Sequence, residues 1–228
     1  MATTTAGFDV QFIEAIAYAL NREVVLPDDY YLRMTPIQRQ QAVSIAGLAQ
    51  TEQIKHVMGL VNEQLVDGGT FADFQNAVKA GDIDINLPKH RLDNIFRTNI
   101  QGAYGRGRWY QQQANKDERP YLMRDGINDS RQRPAHKILS GIIRPIDDPF
   151  WQTHTAPDAF RCRCIMRSLT KEQAQAKGVT VADDLPDIEP QDGFSGGTPA
   201  QYTNRMNKLV NDKIAELAIT YYKQSGAI

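Results

Sequence analysis

Cys162 and Cys164, one residue apart, are the chain's two cysteines, and with His136 and His154 they form the set best suited to chemistry. Residues i and i+2 of a strand project to one face, so both sulfurs can reach one metal ion. The histidines supply nitrogen donors, and two thiolates with two imidazoles suit zinc. Four protein ligands would make the site closed and structural. Asp129 stands as a partner for a ligating histidine, or as a substitute ligand. C-x-C is a weaker signature than C-x-x-C, and a small core in which buried cysteines act as hydrophobes stays open as the alternative. No disulfide is expected. Strand Cα atoms two residues apart lie about 6.5–7 Å from one another, near or beyond the bridging limit.

A cysteine near a histidine also raises nucleophilic catalysis. That alternative is a metal- or thiol-dependent enzyme, hydrolase or toxin-like, built on Cys162, Cys164 and His136. Two cysteines between arginines look more like a ligand pair than one activated thiolate. The sequence has no zinc-deaminase pairing of H-x-E with P-C-x-x-C. It also lacks a G-x-x-x-x-G-K phosphate loop, an H-E-x-x-H helix and a G-x-G-x-x-G turn after a strand. The expectation is a protein that is not an enzyme.

Charge adds a second theme. The whole chain carries −1, yet from Lys89 to Arg144 twelve Lys/Arg stand against five Asp/Glu. Arg106, Arg108, Arg131 and Arg133 are the candidates there for contact with DNA without sequence preference. From Lys171 to Asp192 the balance reverses, with two basic residues against six acidic. Solvated surfaces explain both stretches equally well. Asp129 and Arg131 can pair with Arg97 or Arg108. Asp147-Asp148-Pro149 reads as a turn that presents Phe150 and Trp151 to a core.

The elements that must position these residues follow from periodicity. Phe8, Phe12, Ile16 and Leu20 make an amphipathic helical stripe. Thr35-Pro36-Ile37-Gln38 restarts a helix with a capping box, and Val43, Ile45 and Leu48 follow. Ile54, Val57, Met58, Val61 and Leu65 continue at helical spacing to Gly68-Gly69, and Thr70 caps a helix carrying Phe71, Phe74 and Val78. After Pro88, Leu92, Ile95, Phe96 and Ile100 form one face of a long helix. Arg97, Gln101, Tyr104 and Arg108 form another. Gly102, Gly105 and Gly107 suggest close approach by a second backbone.

Tyr121–Met123, Gly141–Ile143 and Cys164–Met166 read as strands of a small antiparallel sheet. Residues 178–200, poor in large apolar side chains, read as a surface excursion or flexible arm. A last helix opens near Pro199, with Tyr202, Met206, Leu209, Val210, Ile214 and Leu217 on one side. The expected fold is α+β. A helical N-terminal region (1–86) precedes a core (87–170) of one long helix and the sheet, then an acidic arm and C-terminal helix (171–228). At 228 residues and 41% hydrophobic content a real core is possible. No run approaches the roughly 18 apolar residues of a membrane span, and Met1–Gly7 lacks the pattern of a secretion signal.

Between residues 90 and 200 the motifs fall in a telling order. Arg97-Thr98, Ala103 and Gly107-Arg108 mark the helix, followed by Asp129, Arg131, His136 and Gly141. Asp147-Asp148-Pro149-Phe150-Trp151 comes next, then Cys162-Arg163-Cys164, and finally Asp192-Gly193-Phe194 with Pro199. This order resembles the phage Mu F-like minor head proteins, or phage head morphogenesis proteins. Asn99 stands where the family often has an acidic residue. Ala156-Pro157-Asp158-Ala159-Phe160 replaces the usual P-P-N-G-F.

The resemblance implies a minor capsid protein of a tailed bacteriophage, located in the virion head and assembled in the host cytoplasm. It implies association with the portal and with major capsid or scaffolding protein, and effects on assembly, DNA packaging or DNA delivery. No membrane is involved. The N-terminal helices are expected to supply a docking surface for a helical partner. Some relatives carry a further toxin or transferase domain, for which the roughly 28 residues after Ala200 are too few.

Overall fold

Five consecutive residues, Ala15 to Ala19, are buried in helix α1 (Ile13–Leu20). The small side chains of Ala15, Ala17 and Ala19 among them let α1 lie close against the longest helix, α5 (Lys89–Ala114). At Gly107 of α5 an added Cβ would stand 2.7 Å from the Ala15 backbone nitrogen and 2.8 Å from the Phe12 ring. The computed structural model describes residues 12–39, 41–191, 194, 207–213 and 215–216. The expected helical start at Phe8 lies outside them.

The stretch from Thr35 to Leu48 departs from the helical reading. The capping box forms, with Thr35 N donating to Gln38 Oε1 at 2.9 Å. The helix it opens, α2 (Pro36–Arg39), lasts only four residues. The chain then turns extended as β2 (Ala42–Val43), which pairs in parallel with β1 (Glu23–Val24). Val43 and Ile45 also fit a strand's alternation, and the β-branched Val24 and Val43 favour extended backbone. Gly47, at φ +94°, then turns the chain toward α3 (Thr51–Asp67).

The next elements follow their caps. Gly68 takes the left-handed conformation that ends α3. Thr70 and Asp73 form a capping box at the start of α4 (Phe71–Ala80). Ile54, Val57, Met58 and Val61 of α3 meet Phe74 and Val78 of α4 and Leu92, Ile95 and Phe96 of α5 in one cluster. That core crosses residue 86, where the sequence suggested a boundary.

Beyond α5 lies a three-stranded antiparallel sheet in the order β4-β3-β5, with β3 (Tyr121–Asp125) between β4 (Ile143–Pro145) and β5 (Ile165–Leu169). Leu122 and Arg124 of β3 face inward. Two short helices, α6 (Pro134–Ile138) and α7 (Trp151–His154), fill the connections, and α8 (Lys171–Lys177) follows β5. Gly141 sits at φ +90° between α6 and β4, and its N–H donates to Arg124 O at 2.8 Å. A side chain there would be strained.

The acidic segment read as a surface excursion or flexible arm is fastened as far as residue 191. Thr180 N donates to Ile143 O at 3.0 Å, and Arg144 Nη1 donates to Thr180 O at 2.8 Å. Leu185 and Ile188 pack on the sheet-side core, and Gln191 N donates to Asp158 O at 3.1 Å. Two apolar side chains and backbone hydrogen bonds outweigh the segment's poverty in large residues. Of the expected last helix, residues 207–213 are helical, and Val210 is buried with α1 and α5. Pro199, Tyr202, Met206, Ile214 and Leu217 lie outside the described residues.

Candidate metal centre

His136 and the two cysteines meet at the end of the sheet. Pro134, at the first helical position, starts α6 and carries His136 inward. The cysteines are not on a strand. Cys162 closes a turn by donating its N–H to Ala159 O at 3.1 Å, and Arg161 takes φ +58°. Cys164 immediately precedes β5. The left-handed residue, not strand alternation, brings both sulfurs to one imidazole. His136 Nδ1 lies 3.5 Å from Cys162 Sγ and 3.7 Å from Cys164 Sγ. The three ligand atoms lie within 4.8 Å of one another, and all three residues are buried.

A second layer lies beneath them. Asp158 Oδ1 stands 3.5 Å from Cys162 Sγ and 3.6 Å from His136 Nε2, and accepts from Arg124 Nη2 at 2.8 Å. Arg124 Nη1 donates to His154 O at 2.9 Å. Arg124 and Asp158 are 0% and 1% exposed, so this ion pair is fully desolvated. Sequence reasoning missed both residues. The available signal was phase, because Arg124 shares the inward side of β3 with Leu122.

The thiols diverge. A hydrogen bond from Cys162, helped by the nearby Arg124 charge, holds the Cys164 thiol down to about 6. That same hydrogen bond to Cys164, and burial, push the Cys162 thiol far above its usual range. The first proton leaves the pair readily and the second does not.

His154 lies apart from the three. Its Nε2 is 2.6 Å from Ile188 O and therefore donates, while Nδ1 is 2.6 Å from Thr153 Oγ1. Its ring stacks on Phe150, with centroids 4.2 Å apart. Asp129 also faces elsewhere. It accepts two parallel hydrogen bonds from Arg163, at 2.7 and 2.8 Å, which hold its carboxyl down to about 2. Arg131 adds a backbone bond at 3.0 Å and a guanidinium contact at 3.6 Å. Arg97 pairs with Asp93 at 2.7 Å, and Arg108 is half-buried on α5, where loss of solvent lowers its pKa. The expected pairing of Asp129 with the long helix gives way to a bidentate one with Arg163.

Asp147 and Asp148 do precede a turn. Asp148 accepts from Phe150 N and Arg144 Nε, both at 2.9 Å, and Asp147 meets Lys116 at 3.3 Å. After Pro149 the chain enters α7, with Trp151 wholly buried. Of the arginines proposed to touch DNA, Arg106 lines a cavity of about 290 Å³ beside α5. Arg131 and Arg133 instead rim a pocket of about 20 Å³ over the cysteines.

Residues 52–167, which hold the whole cluster, match the family model described as Phage Mu protein F like protein. The chain belongs to this family. Among the Mu F-like relatives is the Mu-like prophage FluMu F protein of Haemophilus influenzae. It is 30% identical over 177 residues, covering 76% of this chain and 41% of that protein. The putative capsid assembly protein F of Escherichia phage Mu is 36% identical over 103 residues, or 45% of this chain and 23% of that protein. The chain thus spans less than half the length of either relative. No solved structure matches it. Helix α1 and the arm, outside the residues matched to the Mu F-like model, are nonetheless packed onto its long helix and sheet.

Proposed function

We propose that this chain is a minor head protein of a tailed bacteriophage that acts in capsid assembly by binding other head proteins, not by catalysis. The carrying observation is the family match across α3 to β5, supported by similarity to the Mu protein named as a putative capsid assembly protein. In this reading the chain enters the procapsid with the portal and the major capsid or scaffolding protein, and stays in the virion head. Its surface for the portal lies on residues 26–33. The side chain of Leu32 there is 78% exposed, whereas α1 is spent on the protein's own core. No helix among the described residues is long and apolar enough to cross a membrane.

Quantitative mass spectrometry of purified virions and DNA-free procapsids tests this role. A few copies per particle in both are expected, and absence from both would count against it. Leu32→Glu is expected to reduce recovery with procapsids without changing the melting temperature. DNA contact takes a secondary place, since Arg97, Lys116, Arg124 and Arg144 of the basic stretch are paired with aspartates. What contact remains should weaken steeply with salt.

The second reading, a thiol- or metal-dependent enzyme, is favoured by the lowered Cys164 thiol. Against it, both sulfurs are buried beneath a pocket too small for a polymer substrate. Failure of the folded, chelator-treated protein to be alkylated at Cys164 near neutral pH would remove its thiol version.

A further inference from the structure

We propose that His136 Nδ1, Cys162 Sγ and Cys164 Sγ hold a zinc ion, whose fourth position opens to the arginine-rimmed pocket and takes a water or small anion. The inference does not depend on where in the phage head the protein acts.

Spacing is the first argument. Zinc bound tetrahedrally, with Zn–S about 2.3 Å and Zn–N about 2.0–2.1 Å, puts neighbouring sulfur and nitrogen ligands about 3.5–3.6 Å apart. The two sulfur–nitrogen distances are 3.5 and 3.7 Å. Cysteines serving only as hydrophobic filling have no need of one imidazole nitrogen aimed at both.

The surroundings supply the second argument. Ligation through Nδ1 leaves the His136 proton on Nε2, which faces Asp158, and Arg124 fixes that carboxylate. A carboxylate behind a ligating histidine sets its tautomer and orientation. Charges also balance. Two thiolates offset the divalent ion and Asp158 offsets Arg124, so the buried group as a whole is neutral and the penalty for burying net charge is avoided.

The fourth position follows from what is missing and what is open. Asp158 Oδ1 lies 3.5 Å from Cys162 Sγ but is taken up by Arg124. Among the described residues no other histidine, cysteine or carboxylate joins the three, and both His154 nitrogens are engaged elsewhere. The pocket above the site is about 20 Å³, enough for one water. Arg131, Arg133, Arg161 and Arg163 rim it. Arg131 and Arg163 share Asp129, and Arg161 pairs with Asp93. Four cations thus stand against two carboxylates, and the rim keeps a net positive charge that favours an anionic occupant. The arrangement is thus a three-ligand site with one exchangeable position, unlike the closed four-ligand site the sequence suggests.

Full-length protein purified under reducing conditions without chelators is expected to carry one zinc per chain by elemental mass spectrometry. After removal of the zinc, cobalt(II) is expected to give sulfur-to-cobalt charge transfer and the intense visible bands of four-coordinate cobalt. Cys162→Ser and Cys164→Ser should lose the metal. Because those variants can also fail to fold, His136→Cys provides a second test. It replaces one donor with another, and should retain the metal with shifted bands. His154→Gln should keep full zinc, and azide added to the cobalt form should move the visible bands. A parent protein that takes no zinc from a colorimetric chelator in a competition titration overturns the site. Loss of zinc from a folded His154→Gln variant, or bands unmoved by azide, overturns the open three-ligand assignment.

Discussion

Arg124 and Asp158 set the energetics beneath the cysteines. Each is almost fully buried and each is the other's counter-charge at 2.8 Å. Asp158→Ala should destabilise the protein by about 3–5 kcal/mol in urea unfolding, because it leaves an uncompensated buried guanidinium. Arg124→Met with Asp158→Leu should cost less than Asp158→Ala alone. Asp129 gives a pH signature. Its carboxyl titrates near 2 in the folded protein, against about 3.9 when unfolded. The pair with Arg163 therefore contributes fully above the unfolded value, and its contribution is lost as pH falls through about 2. Asp129→Asn should melt below the parent at pH 7, and the gap should narrow from pH 4 toward pH 2. The sequence made the C-x-C pair and His136 legible by residue type. Arg124 showed only through its phase with Leu122, and Asp158 not at all, since a buried charge reads like a solvated one. His154 has the right type but not the right place.

Helix α5 uses its glycines unequally. A Cβ at Gly105 would fall 2.4 Å from Pro157 Cδ and 3.0 Å from Ala156 O, the backbone leading to Asp158. One at Gly102 would meet nothing within 4 Å. Gly105→Ala should cost about 1–3 kcal/mol through overpacking. Gly102→Ala should raise stability by up to about 1 kcal/mol through helix propensity. Chemical denaturation of the two variants separates the effects, and equal shifts would contradict the close approach. Helices with local caps, such as α4 with Thr70 and Asp73, were readable because cap and apolar stripe lie within a few residues. The β1–β2 pairing joins residues 19 apart through two residues each, too brief a pattern to register. The turn at Arg161 was unreadable because nothing in an arginine announces a positive φ.

On the scale of the whole molecule, α1 and residues 207–213 close onto the middle of the chain. Removing residues 1–20 takes Ile16 and Tyr18 out of the α1–α5 core. Each contributes about 1.5–3 kcal/mol of burial, against a net stability of about 5–15 kcal/mol for a typical domain. The truncated protein should melt without cooperativity in calorimetry; an unchanged transition would mean that α1 is dispensable. The α+β class and the order of helices before sheet were legible in periodicity. The docking of the arm through Leu185 and Ile188 was not, since two isolated apolar residues give no period.

The seat of α1 also sets a schedule for synthesis. Its main partner, α5, ends at Ala114, so α1 emerges from the ribosome roughly 95 residues before that helix is complete. At about 5–20 residues per second the interval is about 5–20 s. Until α3 supplies Leu65, and in full only when α5 is made, the apolar face of the newly made segment stays uncovered. In a cell producing many copies at once, those seconds are when neighbouring nascent chains can stick together, and when a chaperone that grips early and releases late would raise the yield of folded protein.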